Sequence, residues 1–202
     1  MASTITSITG LQNLSNLLEF RADYNSFETV DLSGLSNLTY VDISDCEVPG
    51  SNENSLKSVN LSGCSNLQEL RLDDSDFSGG FPDLTGLNNL NWIDFDQCDL
   101  IGTVNISNLP SLIRVDLSGN TNLNRVIISS SQPIGNGADF SVQNCALTQP
   151  AVDNILMALA QNGINDGYAD LSGGTNAIPS AIGLAAKAGL EGNGWTVNVN
   201  TP

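Results

Sequence analysis

The sequence predicts an α/β solenoid with a parallel β-sheet, short extended segments on both sides of each coil, and a βαβαβ helical cap at the C-terminal end. Three observations carry this expectation. Apolar residues recur with a period of about 22 in two half-steps, and Ile93, Val104, Val115 and Val126 follow one another at intervals of 11. Each half-step holds an apolar–polar–apolar triplet such as VDI, VNL, IDF or VDL, the pattern of a very short strand with one buried face. After Cys145 the spacing becomes helical.

In chain order, the full repeats read LxxLxLxxNxL, with Cys also admitted at the Asn place. Leu17, Phe20, Ala22, Asn25 and Phe27 form the first; Leu38, Val41, Ile43, Cys46 and Val48 the second; Leu90, Ile93, Phe95, Cys98 and Leu100 another. Leu67, Leu70, Leu72, Ser75, Phe77 and Leu112, Val115, Leu117, Asn120, Leu123 are looser versions, the last with its final Leu one place late. Half-repeats lie between them: Val30, Leu32, Leu35; Val59, Leu61, Cys64; Leu84, Leu87; Val104, Ile106, Leu109. In each half the triplet buries its outer residues and the next apolar residue closes the turn inward, so the chain must coil. An inward Asn at the bend satisfies backbone groups that a tight turn leaves unpaired, and a thiol fills the same volume with weaker demands. Coils stacked about 4.8 Å apart pair their strands in parallel and align equivalent side chains in columns. The loops Pro49–Ser55 and Ser78–Asp83 lengthen two coils, and Ser129–Ala138 is a later insertion.

Beyond Cys145, LTQPAVDNILMALAQNG places Thr148 at an N-cap, Pro150 in the first turn, Val152, Ile155, Leu156 and Leu159 at helical spacing, and Gly163 at the stop. PSAIGLAAKAGLEGNG reads as a second helix with Ile182, Ala186 and Leu190 on one face. Short strands at Phe140–Val142, Tyr168–Leu171 and Trp195–Val199 flank the helices, the last with Trp195, Val197 and Val199 inward. Spacings of 169 − 140 = 29 and 197 − 169 = 28 predict two wider coils joined by right-handed crossovers. The expected organisation is a solenoid over residues 1–147 and a continuous two-helix cap over 148–202, which closes the open end of the apolar column.

Residues 11–147 resemble the leucine-rich repeat family, and the alternating halves look most like its bacterial and phage variety, the BspA type, in which both sides of the coil carry short extended segments. The stretch LSGGTNAIPSAIGLAAKAGLEGNGWTVNVN, Leu171–Asn200, is similar to a closing segment that recurs in phage virion proteins predicted to be structural or tail-associated. That resemblance implies a virion component that leaves the cell by lysis.

Bulk properties narrow the function classes. The chain has 202 residues, enough for one domain with a sizeable core. Six Lys and Arg against 22 Asp and Glu give a formal charge of -16, which repels nucleic acid and anionic bilayers. Basic partners, cations and neutral glycans stay open. No apolar run approaches the roughly 18 residues of a membrane span. MASTITSITGLQNL has neither the basic start nor the apolar stretch of a secretory leader, so the expectation is a virion protein made in the host cytoplasm. Cys46, Cys64, Cys98 and Cys145 form no CxxC pair, and the repeat gives each a core position. The absence of His excludes Ser/His/Asp and Cys/His nucleophilic sites. No GxSxG, GxxxxGK or GxGxxG occurs, and no cofactor is expected.

Asp42, Asp94 and Asp116, with Arg71 among them, fall at the outward position of full repeats, and Tyr40, Glu69, Trp92 and Arg114 lie two residues earlier on the same exposed side. These eight residues are the candidate recognition face. Two aromatics among acidic neighbours can stack on sugar rings or clamp a basic peptide, or else cover a neighbouring coil or copy. Paired outward carboxylates also suit glycosidase chemistry, but polar residues are required there in any case and nothing in the sequence sets one carboxylate's pKa apart. Asp74, Asp76, Ser78 and Gly79 match the opening DxDxSG of a calcium loop, yet Pro82 and Thr85 stand at its ninth and twelfth places, so the bidentate Glu is missing. No metal is assigned. The expected function is a non-enzymatic virion protein that decorates the capsid or contacts the host surface from the tail. Its expected partners are other virion proteins or a host cell-surface protein or glycan, without nucleic acid or membrane insertion, and with homo-oligomers on the particle possible. A bacterial surface or secreted adhesin and a carbohydrate-cleaving β-helix are the alternatives.

Overall fold

A three-residue strand with one buried side chain has no stability alone, so each triplet is held by the coils above and below it. A computed structural model describes residues 4–48, 50–51, 53–129 and 137–202. Pro49 and Asn52 of the first inserted loop, 130–136 of the last one and residues 1–3 lie outside the described residues.

The strands are β1 (Glu19–Arg21), β2 (Thr29–Asp31), β3 (Tyr40–Asp42), β4 (Ser58–Asn60), β5 (Glu69–Arg71), β6 (Trp92–Asp94), β7 (Ile101–Asn105), β8 (Arg114–Asp116), β9 (Asn122–Ile127), β10 (Asp139–Ser141), β11 (Tyr168–Leu171) and β12 (Thr196–Val199). Helix α1 (Gln149–Gln161) lies between β10 and β11, and α2 (Ala181–Gly192) between β11 and β12. One parallel sheet of eight strands runs the length of the molecule in the order β1-β3-β5-β6-β8-β10-β11-β12. The central residues Phe20, Val41, Leu70, Ile93, Val115, Phe140, Ala169 and Val197 are in register and form one buried column. The chain is a solenoid.

The opposite side is less continuous than the half-repeats predict. Strand β2 pairs β4 through Val30 and Val59, and β7 pairs β9 through Val104 and Val126. The intervening coil, which holds Leu84 and Leu87, has no strand. There the Ser78–Asp83 loop turns Phe81 onto Phe95 (ring centroids 4.9 Å apart), while Phe77 packs on the same ring at 5.9 Å. Aromatic packing has replaced strand pairing at that level.

At the inner bend the sequence's Asn and Cys places do different work. Asn120 is fully buried; its Oδ1 accepts from Cys98 N (3.0 Å) and Leu100 N (2.9 Å), and its Nδ2 donates to Phe95 O (2.9 Å), Leu117 O (2.8 Å) and Ser118 O (3.1 Å). Asn176 serves the later coils likewise, accepting from Leu147 N and donating to Val142 O and Leu171 O. The four thiols are free and buried, and Cys64, Cys98 and Cys145 point at carbonyls of the preceding coil (Leu32, Leu72 and Leu117) at 3.1–3.2 Å. Burial raises every thiol pKa, to about 12 for Cys145, so thiolate chemistry is suppressed.

Two local expectations, for Val48 and for the packed face of α2, are corrected, while Thr148 holds its expected place. Val48 is 37% exposed, because the inserted loop carries the chain outward and Leu56, fully buried, takes the core place. Thr148 sits at the N-cap of α1 without a side-chain cap bond; Pro150 lacks an N–H, and Ala151 N donates to the Thr148 carbonyl instead. Helix α2 buries Gly183 and Leu190 and leaves Ile182 64% exposed. A Cβ on Gly183 would lie 2.1 Å from Asp153 Oδ1, and that carboxylate accepts from Ser180 N. Close approach to α1 therefore sets the packed side of α2 along Gly183, Ala186 and Leu190, with Ile182 outside it.

The bend makes a sharp prediction. Asn120→Ala strands buried donors and acceptors and is expected to cost about 3 kcal/mol or more, seen as a fall in Tm of roughly 6–12 °C by circular dichroism. Ser75 Oγ, by contrast, is buried with no hydrogen-bond partner among the described residues, so Ser75→Ala is expected to leave Tm unchanged or raise it.

Candidate functional site

The pleat turns the first and third residue of every main-sheet strand outward. Register then sets two columns side by side: Glu19, Tyr40, Glu69, Trp92, Arg114, Asp139 in the first, and Arg21, Asp42, Arg71, Asp94, Asp116, Ser141 in the second. All eight residues of the candidate face therefore lie together on four consecutive strands, β3, β5, β6 and β8. Arg21 belongs to the same surface; the sequence signal was its place between Phe20 and Ala22, equivalent to that of Asp42 between Val41 and Ile43.

The aromatic rings are already occupied. The Arg21 guanidinium lies 4.1 Å from the Tyr40 ring centroid, with Arg71 5.9 Å from the same ring; Arg71 is 3.8 Å and Arg114 4.4 Å from the Trp92 ring. Sugar stacking on these faces requires an arginine to move. What the ladder offers instead is held guanidinium edges. Arg71 has no ion pair among the described residues, and its Nε is buried without a hydrogen-bond partner. Arg114 reaches Asp139 at 3.8 Å, a half-exposed pair worth little by itself.

The carboxylates divide into two kinds. Asp42, Asp116 and Asp170 each accept from both the N–H and the hydroxyl of a Ser two residues on (Ser44, Ser118 and Ser172). Asp76 does the same with Ser78. These are turn-closing carboxylates. Tyr40 and Tyr168 add a hydroxyl bond at 3.0 Å to Asp42 and Asp170. In the middle of the face the Asp-x-Ser pattern fails: Asp96 follows Asp94, and Asp73 follows Arg71. Burial, reinforced by the neighbouring Asp116, pushes Asp94 up to about 6; burial and Asp94 push Asp73 up to about 7. Asp74 and Asp96 are also raised, chiefly by burial. The sequence alone distinguished none of these carboxylates; stacking the coils does.

Asp74 joins Asp45 and Asp73, their oxygens within 4.8 Å of one another. This group is the arrangement that could hold a hard cation. It is not the set that DxDxSG suggested, because Asp76 and Ser78 close a turn with each other. Asp45 and Asp73 went unnoticed in the sequence, since their meeting depends on the register between two coils.

A cavity of about 80 Å³ opens on the face between Trp92, Asp94, Arg114 and Asp116, well below the roughly 300–1,000 Å³ of small-molecule sites. A wider depression of about 540 Å³ lies beside the loop after β3, with Glu53, Lys57, Asp76 and Asp99 in its lining. No described helix is long and apolar enough to cross a membrane.

No protein-family profile and no curated protein matches the chain. Among solved structures, the crystal structure of an internalin (inlF) from Listeria monocytogenes is similar at 15% identity and a TM-score of 0.37, over 98% of this chain and 67% of that one.

The crowded carboxylates set a pH dependence. Asp73 and Asp94 keep protons in the folded chain that the unfolded chain releases near its ordinary value of 3.8. Their contribution to stability is thus full below that value and lost as pH rises through about 6 and about 7. Thermal melts are expected to show Tm falling between about pH 4 and about pH 7 and levelling off above that. Asp73→Asn should raise Tm at the upper end by about 2 °C, a small effect because water screens a part-exposed group, and leave the lower end unchanged.

Proposed function

We propose that this chain is a leucine-rich-repeat-type binding protein of a phage virion, non-enzymatic, which decorates the capsid or contacts the host surface from the tail. The observation that carries the binding reading is the ladder Arg21–Tyr40–Arg71–Trp92–Arg114. Arg, Trp and Tyr are the residues that dominate protein interfaces, and here they are ordered before any partner arrives. Guanidinium edges donate to a partner's carbonyl or carboxylate oxygens, while Asp94 and Asp96 accept from its hydroxyls or cations. An extended partner, protein or glycan, suits a surface with so small a cavity. Copies on one particle would turn weak contacts into avidity. The virion assignment rests on the resemblance of Leu171–Asn200 to phage closing segments.

Two readings compete. A bacterial surface or secreted adhesin uses the same face. A carbohydrate-cleaving enzyme would use Asp94, whose raised pKa suits a general acid, with Asp116 as its partner; the 80 Å³ cavity beside them is too small for a sugar ring.

Immunogold electron microscopy on particles and cells of the producing culture separates the first two. Label is expected on particle heads or tails; label confined to cell envelopes would place the adhesin first. For the face itself, Arg71→Ala or Trp92→Ala should weaken attachment to the partner surface by about 10- to 100-fold, with Tm little changed. Turnover of a polysaccharide that Asp94→Asn abolishes would replace the binding reading with the enzymatic one.

A further inference from the structure

Strand β1 stands at one end of the eight-stranded sheet. Leu18 O accepts from Tyr40 N, and Ala22 N donates to Asp42 O, so by the alternation of a strand the main-chain groups of Glu19 and Arg21 point away from β3. Among the described residues nothing pairs that outer edge. The end surface around it is apolar where later coils are closed: Leu14 is 50% exposed, whereas Leu35, Cys64, Leu87 and Leu109 at the same place in later coils are at most 4% exposed. Leu18, 59% exposed, stands where the next three coils carry Thr39, Gln68 and Asn91 and a later one carries Ile113, 38% exposed. Ile5 and Ile8 add 51% and 38% exposure to the first coil. An open strand edge beside exposed leucines is a surface for another chain.

We propose that the occupant is a second copy of this chain, joined by antiparallel pairing of β1 with the partner's β1 about a two-fold axis at Phe20. The charges are self-complementary in that register. Glu19 falls opposite Arg21 of the partner subunit and Arg21 opposite Glu19 of the partner subunit, each as a hydrogen-bonded pair exchanging both main-chain bonds. Within one chain Glu19 has Arg21 as its ion-pair partner at 3.2 Å, both 58% exposed, and Arg21 also lies over the Tyr40 ring. A head-to-tail stack on β12 would instead continue the columns and set Glu19 beside Thr196 and Arg21 beside Asn198, with no charge partner for either. The two-fold contact also closes, which a head-to-tail contact does not. Its result is a continuous sheet with both outward faces on one side, doubling the face without relying on what that face binds.

Sedimentation velocity over a concentration series tests this with wild type, Glu19→Arg and Arg21→Glu, each checked for a wild-type circular dichroism spectrum. The wild type is expected to dimerise. Either single variant sets like charges opposite each other and should weaken the dimer by about tenfold or more. An equimolar mixture of the two variants restores both pairs and should form a heterodimer. A wild type that stays monomeric, a dimer indifferent to both variants, open chains that lengthen with concentration, or variants that fail to associate when mixed would each overturn the proposal.

Discussion

Everything in this chain depends on satisfying the main chain at the inner bend of each coil. A coil of this size turns sharply inside a dry interior, and its peptide groups there cannot reach water. Asn120 answers with five hydrogen bonds from one side chain, two accepted and three donated. Once one bend is held, the next coil is placed at strand spacing, and the short triplets can pair. Where Cys stands at the bend, a weak S–H bond to the preceding coil's carbonyl suffices. The thiols are thus packing residues whose chemistry the core suppresses.

Register carries that order to the surface. Because each central residue is fixed beneath its neighbour, the outward residues are fixed too, and side chains far apart in sequence become a ladder. Arginine and aromatic rings alternate along it at 3.8–5.9 Å, so these long side chains are held in place by one another. The same stacking compresses carboxylates that would be ordinary on an isolated strand. Asp42, Asp116 and Asp170 are relieved by a Ser two residues on; Asp73, Asp74, Asp94 and Asp96 are not, and they mark the part of the face that departs from what the coil alone needs.

Much of this was legible in the sequence. The 11-residue steps from Ile93 to Val126 placed residues alternately on the two sides of the coil, and the outward set Tyr40, Asp42, Glu69, Arg71, Trp92, Asp94, Arg114 and Asp116 fell on one surface as a period of two requires. What escaped depended on neighbours. Val48 satisfied the repeat, yet the loop after it displaced it in favour of Leu56. Ile182 satisfied a helical face, yet Gly183 against Asp153 decided which side of α2 packs. Asp74 belonged to a calcium-like string, yet it meets Asp45 and Asp73.

The amino-acid order by itself determined the coil, the inward and outward assignment of nearly every apolar residue, and the places where Asn or Cys holds the bend, because these follow from periodicity within a few residues. Only the tertiary structure decided which charges touch. Arg21 on Tyr40, Arg71 on Trp92, and the raised Asp73 and Asp94 each join residues one coil apart. The length of every intervening loop sets that register, and no local pattern encodes it.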